Sequence, residues 1–180
     1  LTSASTGVRT WKHLKSGSNV QVDASSASEI IVSTIPVVAR YTTDAGQSIS
    51  NASTVIINFE DVSIDTDLAV TTGTNWRFTC PTGKDGYYRI SSFILINTTT
   101  AWGVGEICEL SLFKNGNLYS YLWREQSQTS SVDRCVHAKG TDIISLVGGD
   151  SIRVELYQSS GGSLTLIASA EYNHVSIEKI

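Results

Sequence analysis

From residue 37 onward, short apolar or alternating runs are separated by turn residues, which is the pattern of β-strands. Residues 37–41, 87–96 and 151–157 show it most clearly. No segment shows the 3.6-residue apolar period of a capped helix. We therefore predict an all-β domain over residues 37–180, with further strands at 55–59, 75–80, 106–114, 117–124, 141–147 and 170–180.

One β-hairpin is predicted with its register. Asn115-Gly116 lies between two alternating runs, and a type I′ turn needs positive φ at both of its central residues. A two-residue loop pairs Phe113 with Leu118. It also pairs Leu112 with Tyr119.

Residues 1–36 differ from the rest of the chain. Ser/Thr/Gly-rich stretches surround Trp11, and this low hydrophobicity is typical of a tether, so we predict an extended N-terminal arm. Trp11 either docks on a neighbouring chain or packs on its own domain. Ile30 and Ile31 belong to a β-branched run suited to adding as a strand to a neighbour's sheet edge. The alternative is a strand that continues into its own domain.

Charge and hydropathy exclude two classes of partner. The 180 residues carry a formal net charge of −4 with no basic cluster, which argues against nucleic-acid binding. No apolar run approaches the roughly 20 residues that span a bilayer, so membrane insertion is not expected. The three cysteines lack paired metal or redox spacing, and we expect reduced, buried thiols.

The sequence gives no support for catalysis. His13, His137 and His174 lie in different segments, and no serine stands in a nucleophile-elbow motif. Glu106 and Glu109 are three residues apart and face opposite sides of a strand, which counts against a glycosidase pair. We therefore expect a protein that is not an enzyme.

Metal sites are equally poorly supported. Cys135 and His137 share one face of a strand, but further zinc ligands are missing. Asp61, Asp65 and Asp67 alternate as in a calcium loop without the remaining positions of an EF-hand. A solvated acidic loop is the favoured interpretation.

Four motifs stand in a fixed order along the domain. They are Phe78-Thr79-Cys80-Pro81, Gly86-Tyr87-Tyr88, residues 110–116 ending in Asn115-Gly116, and residues 146–154 around Gly148-Gly149-Asp150. Together they resemble the globular head of complement C1q and its tumour-necrosis-factor-like relatives, over about residues 37–180. The resemblance implies a ten-strand antiparallel jelly-roll sandwich that assembles as a tight homotrimer, and it keeps calcium as an alternative cofactor where we otherwise expect none.

A shorter resemblance concerns the beginning of the domain. Residues 36–43, followed by residues 46–49, are similar to the openings of such domains in structural proteins of tailed phages. It implies a virion component. We expect Tyr41, Tyr88 and Tyr172 to face the three-fold axis of the trimer.

Connectivity locates the candidate binding surface. In an antiparallel jelly roll every second connection lies at the same end, so the turns 81–86, 115–116 and 148–150 should share one end with the C-terminus. The long connections 97–105, 125–134 and 159–169 should lie opposite. Long polar loops on a rigid scaffold commonly carry recognition.

The long loops contain the candidate ligand-binding residues Trp102, Gln126, Arg134 and Gln158. An exposed Trp offers a stacking face, and amides offer paired donors and acceptors, which suits a glycan. The alternative is that Trp102 folds back on its neighbours and the loops are plain surface.

The leading functional hypothesis is a trimeric head of a phage fibre or spike that binds a glycan or protein on the host surface. A capsid decoration protein, anchored to other virion proteins by its arm, is the second hypothesis. A secreted C1q-like glycan-binding module is a third, and a glycan-active enzyme comes last. The expected location is the virion.

Overall fold

The computed structural model describes residues 20–26, 29–34, 36–97, 102–130 and 136–180, with side chains from residue 36 onward. The chain divides into two compact units, residues 1–36 and 37–180. All regular structure in the described residues is β-strand. None of the described segments forms a helix able to cross a membrane.

The first unit contains an antiparallel pair of strands, β1 (Val20–Ser26) and β2 (Glu29–Thr34). Strand β2 falls where the β-branched run predicted one. Strand β1 lies within the predicted N-terminal arm, where alternating polar and apolar residues pair with β2.

The second unit is a sandwich of two antiparallel sheets, as the jelly-roll prediction requires. One sheet contains β4, β14, β9, β15, β3 and β6, each hydrogen-bonded to the next in this order. Strands β14 and β15 pair with successive parts of one edge of β9, and β12 pairs along its other edge. The second sheet has the order β11, β10, β13, β8 and β7, with β5 also pairing with β13. The thirteen strands of this unit are β3 (Val38–Thr42), β4 (Ser48–Ile49), β5 (Ser53–Ile56), β6 (Asp61–Asp65), β7 (Val70–Thr71), β8 (Arg77–Thr79), β9 (Gly86–Asn97), β10 (Ile107–Lys114), β11 (Asn117–Gln126), β12 (Val136–Leu146), β13 (Ser151–Gln158), β14 (Leu164–Leu166) and β15 (His174–Lys179).

The core lies between the two sheets and is built around large aromatic side chains. Trp76 is fully buried and meets Phe59 edge-on, with ring centroids 5.1 Å apart. Tyr41 meets the same indole edge-on at 6.3 Å. Phe78 and Tyr88 pack together at 5.7 Å, one from each sheet. The alternation of buried and exposed residues along β3 and β9 therefore fixes which face of their sheet is left outside.

The Asn-Gly hairpin forms as predicted, with φ of 50° at Asn115 and 81° at Gly116. Phe113 pairs with Leu118, which confirms the register next to the turn. The predicted pair of Leu112 with Tyr119 is wrong, because a register shift places Ser120 opposite Leu112. An extra residue on one strand produces such a shift.

Candidate functional site

The short turns and the C-terminus meet at one end of the sandwich, as predicted. The amide of Asn115 donates to Asp150 at 2.7 Å, and the backbone N–H of Gly148 donates to Asp85 at 2.7 Å. The backbone N–H of Ile180 donates to the carbonyl of Tyr87. These hydrogen bonds hold three turns and the C-terminus together, and we call this end of the sandwich the polar cap.

The described parts of the long connections lie together at the opposite end. Ser127 links two of them, since its backbone accepts from the N–H of Gly105 and donates to the carbonyl of Glu106. The third is joined through Ser159, whose N–H donates to the carbonyl of Ile107. We call this surface the loop end.

Trp102 does not offer the exposed stacking face that its loop position suggested. Its side chain is 2% exposed and belongs to the hydrophobic core. It borders a void of about 10 Å³ together with Cys108, Trp123 and Val136. The prediction of an exposed Trp102 is wrong, because the indole fills space at the end of the core that would otherwise be empty.

Gln158 is also buried rather than available to a ligand. Its amide nitrogen donates to the carbonyls of Ile49 and Gly162, and its oxygen accepts from the N–H of Ser160. It therefore ties loops together. Gln126 is exposed and donates to the carbonyl of Gly105 at 3.1 Å, so it stays a candidate at the loop end. Arg134 lies outside the described residues.

A second candidate surface is the outer face of β12, β9, β15 and β3, which carries an aromatic cluster. Phe93 stacks on His174 with ring centroids 5.9 Å apart and an interplanar angle of 11°. His137 approaches the same ring edge-on at 6.1 Å, and Tyr172 lies at 6.3 Å. We call these four residues the Phe93 face.

The electrostatics of this face favour a neutral His174. Burial lowers the pKa of His174 below its ordinary value, and the nearby charge of Arg40 lowers it further, against a smaller opposite effect from the backbone of Glu171. The His174 Nδ1 is buried and has no hydrogen-bond partner among the described residues. The guanidinium of Arg40 is held on the face by a 2.9 Å bond to the Ser176 hydroxyl.

Two of the three tyrosines predicted at the trimer axis point into the core instead. Tyr88 is fully buried and donates its hydroxyl to the carbonyl of Lys84 at 2.7 Å. Tyr41 is 6% exposed and donates to Asp65. Both predictions are wrong, because these residues occupy the inward positions of β3 and β9. Tyr172 is 45% exposed and stays a prediction.

A separate apolar surface lies at the edge where β11 of one sheet meets β12 of the other. Tyr119, Tyr121 and Ile143 are each about half exposed. The Tyr119 hydroxyl donates to the carbonyl of Ile143 at 3.3 Å, which joins the two strands. We call these three residues the edge patch.

The described residues contain no group of three or more His, Cys, Asp or Glu side chains placed to hold a metal ion. Cys80 and Cys108 are both buried, and burial raises the pKa of the Cys80 thiol. Cys135 and Trp11 lie outside the described residues. Ile30 and Ile31 lie on β2, and Ile31 pairs with Asp23 of β1.

Sequence reasoning did not identify the Phe93 face. The signal available was the alternation along β9, which puts Tyr87, Arg89, Ser91 and Phe93 on one side. His137 and His174 join them only through the pairing of β9 with its two neighbours. A prediction that pairs only strands adjacent in sequence does not find contacts between residues this far apart in the chain.

Comparison with known proteins shows the fold. No protein-family model and no curated protein matches this sequence. Among solved structures, murine APRIL at pH 5.0 has a TM-score of 0.54 and 15% identity, covering 81% of this chain and 100% of that one. Eiger TNF from S. frugiperda has a TM-score of 0.55 and 12% identity, covering 81% and 92%. The globular domain of zebrafish complement 1qA protein has a TM-score of 0.52 and 15% identity, covering 80% and 96%. The chain therefore has the jelly-roll fold of these C1q- and TNF-like domains.

Proposed function

We propose that this chain is a non-enzymatic binding module that acts as a homotrimer. The observation that carries the proposal is that exposed apolar groups form two distinct surfaces on one domain, the Phe93 face and the edge patch. Two different patches that pack against each other make a heterologous contact, which closes into a ring when the rotation allows. Because the sequence resembles C1q and TNF-like heads, we expect this ring to contain three chains.

The composition of both surfaces supports this role. Aromatic residues are enriched at the centres of protein interfaces, and tyrosine combines apolar area with a hydroxyl. The edge patch carries two exposed tyrosines, and the Phe93 face carries one. Packing also covers the edges of the sheets, which otherwise invite aggregation.

Sedimentation velocity at micromolar concentration tests the assembly. We expect a species with three times the mass of one chain, and we expect Ile143→Arg to convert it to monomer by placing a charge in the edge patch. Val104→Arg is the matched control, because Val104 is 72% exposed, lies in the connection before β10 and belongs to neither surface. A wild-type protein that stays monomeric contradicts the proposal.

We further propose that the trimer is the head of a virion fibre or spike and binds a host-surface glycan or protein at its loop end. The similarity of residues 36–49 to tailed-phage structural proteins supports the virion location. The loop end supplies uncharged donors and acceptors such as Gln126, which suit a polar ligand. A glycan array probed with the trimer tests this, and absence of any signal contradicts glycan as the ligand.

A capsid decoration protein is the second candidate, favoured by one observation. Within the described residues β2 pairs only with β1, so the other edge of β2 offers backbone groups to a partner strand. Deleting residues 1–36 and measuring incorporation into particles tests the arm as the anchor. A truncated trimer that is folded and incorporated normally contradicts this candidate.

A further inference from the structure

Basic side chains surround Phe93 on the outer face of its sheet. In the strand register Lys139 lies opposite Phe93 on one side and His174 on the other. Arg40 follows on the next strand, opposite Ser176. His137 contacts the Phe93 ring from β12. Arg40 and Lys139 are cationic side chains, so a proton on His174 adds a third positive charge beside Phe93.

We propose that mild acid dissociates the trimer, because protonation of His174 adds positive charge to a face that is covered by a second copy and already holds Arg40 and Lys139. The inference rests on the proposed homotrimer and concerns its regulation.

The nearby carboxylates do not offset this charge. Glu178, on the same strand as His174, is paired with Arg89 at 2.6 Å. Glu171, in the connection before β15, accepts from the Ser169 hydroxyl. Asp61 stands on β6, opposite Thr42, at the far side of β3. Each carboxylate on the elements around His174 is therefore engaged or displaced towards the edge of the sheet.

Burial makes His174 sensitive to assembly. His174 is partly covered in the single chain, and a second copy packed on Phe93 removes more of its water. Removing water disfavours the charged form of an imidazole. In addition, the buried Nδ1 has no hydrogen-bond partner among the described residues, and the backbone of Glu171 offsets only part of the cost of burying the charged ring.

The direction of the pH effect follows by linkage. The trimer binds fewer protons than the separated chains, so its stability is complete at neutral pH and is lost as the pH falls through the lowered pKa of His174. If His174 takes up one proton in each of three chains, the association constant falls by up to about 10³-fold per pH unit.

Sedimentation velocity between about pH 7.5 and about pH 5 tests the proposal, with near-ultraviolet circular dichroism reporting the fold of the domain. We expect wild-type trimer at the higher pH and folded monomer at the lower. The double variant His137→Gln/His174→Gln should stay trimeric throughout. His13→Gln is the control, because His13 is the remaining histidine of the chain, and it should behave like wild type.

Each other outcome is decisive. A wild-type trimer that persists at pH 5, or one whose domain unfolds there, overturns the acid switch and leaves the proposed function standing. A monomer at every pH overturns the proposed function itself. If the glutamine pair is monomeric at neutral pH, His137→Gln/His174→Phe replaces it. A monomer there as well means that the imidazoles act by packing, and the proposal fails.

Discussion

At the scale of single residues, burial decides what a conspicuous side chain does. Trp102 stands in a polar loop, which favours an exposed role, yet its indole completes one end of the core. Tyr87 and Tyr88 are adjacent residues of the same type, but the first is 62% exposed and the second is fully buried. A period of two tells which residues share a face and not which face is inside. Single residues in such pairs cannot be assigned from one sequence.

Replacing Trp102 should destabilise the domain. Trp102→Ala removes a buried indole and leaves a cavity, so we expect the free energy of unfolding to fall by about 3–5 kcal/mol in urea titrations. Trp102→Phe should cost less, because it keeps an aromatic ring and leaves a smaller cavity, and the Nε1 that it removes has no hydrogen-bond partner among the described residues. If the free energy of unfolding of Trp102→Ala lies within about 0.5 kcal/mol of the wild-type value, the Trp102 side chain is at the surface and not in the core.

Asp150 should make the polar cap sensitive to acid. The Lys114 ammonium at 2.8 Å, the backbone N–H of Val147 and the amide of Asn115 lower the pKa of Asp150 to about 2. Its unfolded value is about 3.9, so its stabilising contribution is complete above about pH 4 and is lost as the pH falls towards 2.

The comparison of Asp150→Asn with wild type checks this contribution. We expect the variant to be less stable at neutral pH and the difference to shrink below about pH 4, as followed by urea unfolding across the pH range. Asp44→Asn, in an exposed loop, is the control. A difference that stays constant with pH would mean that the Asp150 carboxylate contributes no charge effect.

At the scale of elements, the sequence predicted long strands well and short or polar ones poorly. Strand β13 (Ser151–Gln158) extends its prediction by one residue, because alternation and turn signals agree there. Strand β12 begins at Val136, five residues before its prediction, in a stretch that includes Lys139 and Gly140. These residues have weak β-propensity, and pairing along the whole of β9 makes them a strand. Pairing between distant segments is also what assembles the Phe93 face.

Gly140 should prove essential for bringing the two sheets together at one edge. A Cβ built on it lies 2.1 Å from the carbonyl oxygen of Leu122 on β11, and no rotamer change relieves a clash with backbone. We expect Gly140→Ala to lower the free energy of unfolding by about 3 kcal/mol or more in urea titrations.

Gly46→Ala is the matched control for Gly140→Ala. It distinguishes the lack of space for a Cβ from the general effect of replacing a glycine. A Cβ on Gly46 meets nothing nearer than a Thr165 methyl at 3.4 Å. Gly46→Ala should therefore stay within about 0.5 kcal/mol of wild type. Equal losses in both variants would contradict a specific role for the close approach of β11 and β12.

At the scale of the whole molecule, the proposed trimer carries three loop ends, and three weak binding sites held together bind a surface more tightly than one. With Trp102 and Gln158 buried, the loop end offers solvent-competed hydrogen bonds from groups such as Gln126, and each contributes about 1 kcal/mol net. A single site is thus expected to bind weakly. Rigidly linked sites make the later binding events intramolecular, and avidity exceeds single-site affinity by roughly 10²–10⁴ without new contacts.

We therefore expect the affinity for a glycan array to depend on assembly more than on any one side chain. At equal subunit concentration, we expect the trimer to bind the array roughly 10²–10⁴ times more tightly than the Ile143→Arg monomer. Gln126→Ala should weaken binding by the trimer several-fold at each site, and Thr82→Ala, in the short turn at the opposite end, should not. Equal binding by trimer and monomer would contradict avidity. Unchanged binding by Gln126→Ala would show that Gln126 makes no hydrogen bond that contributes to the affinity for the ligand.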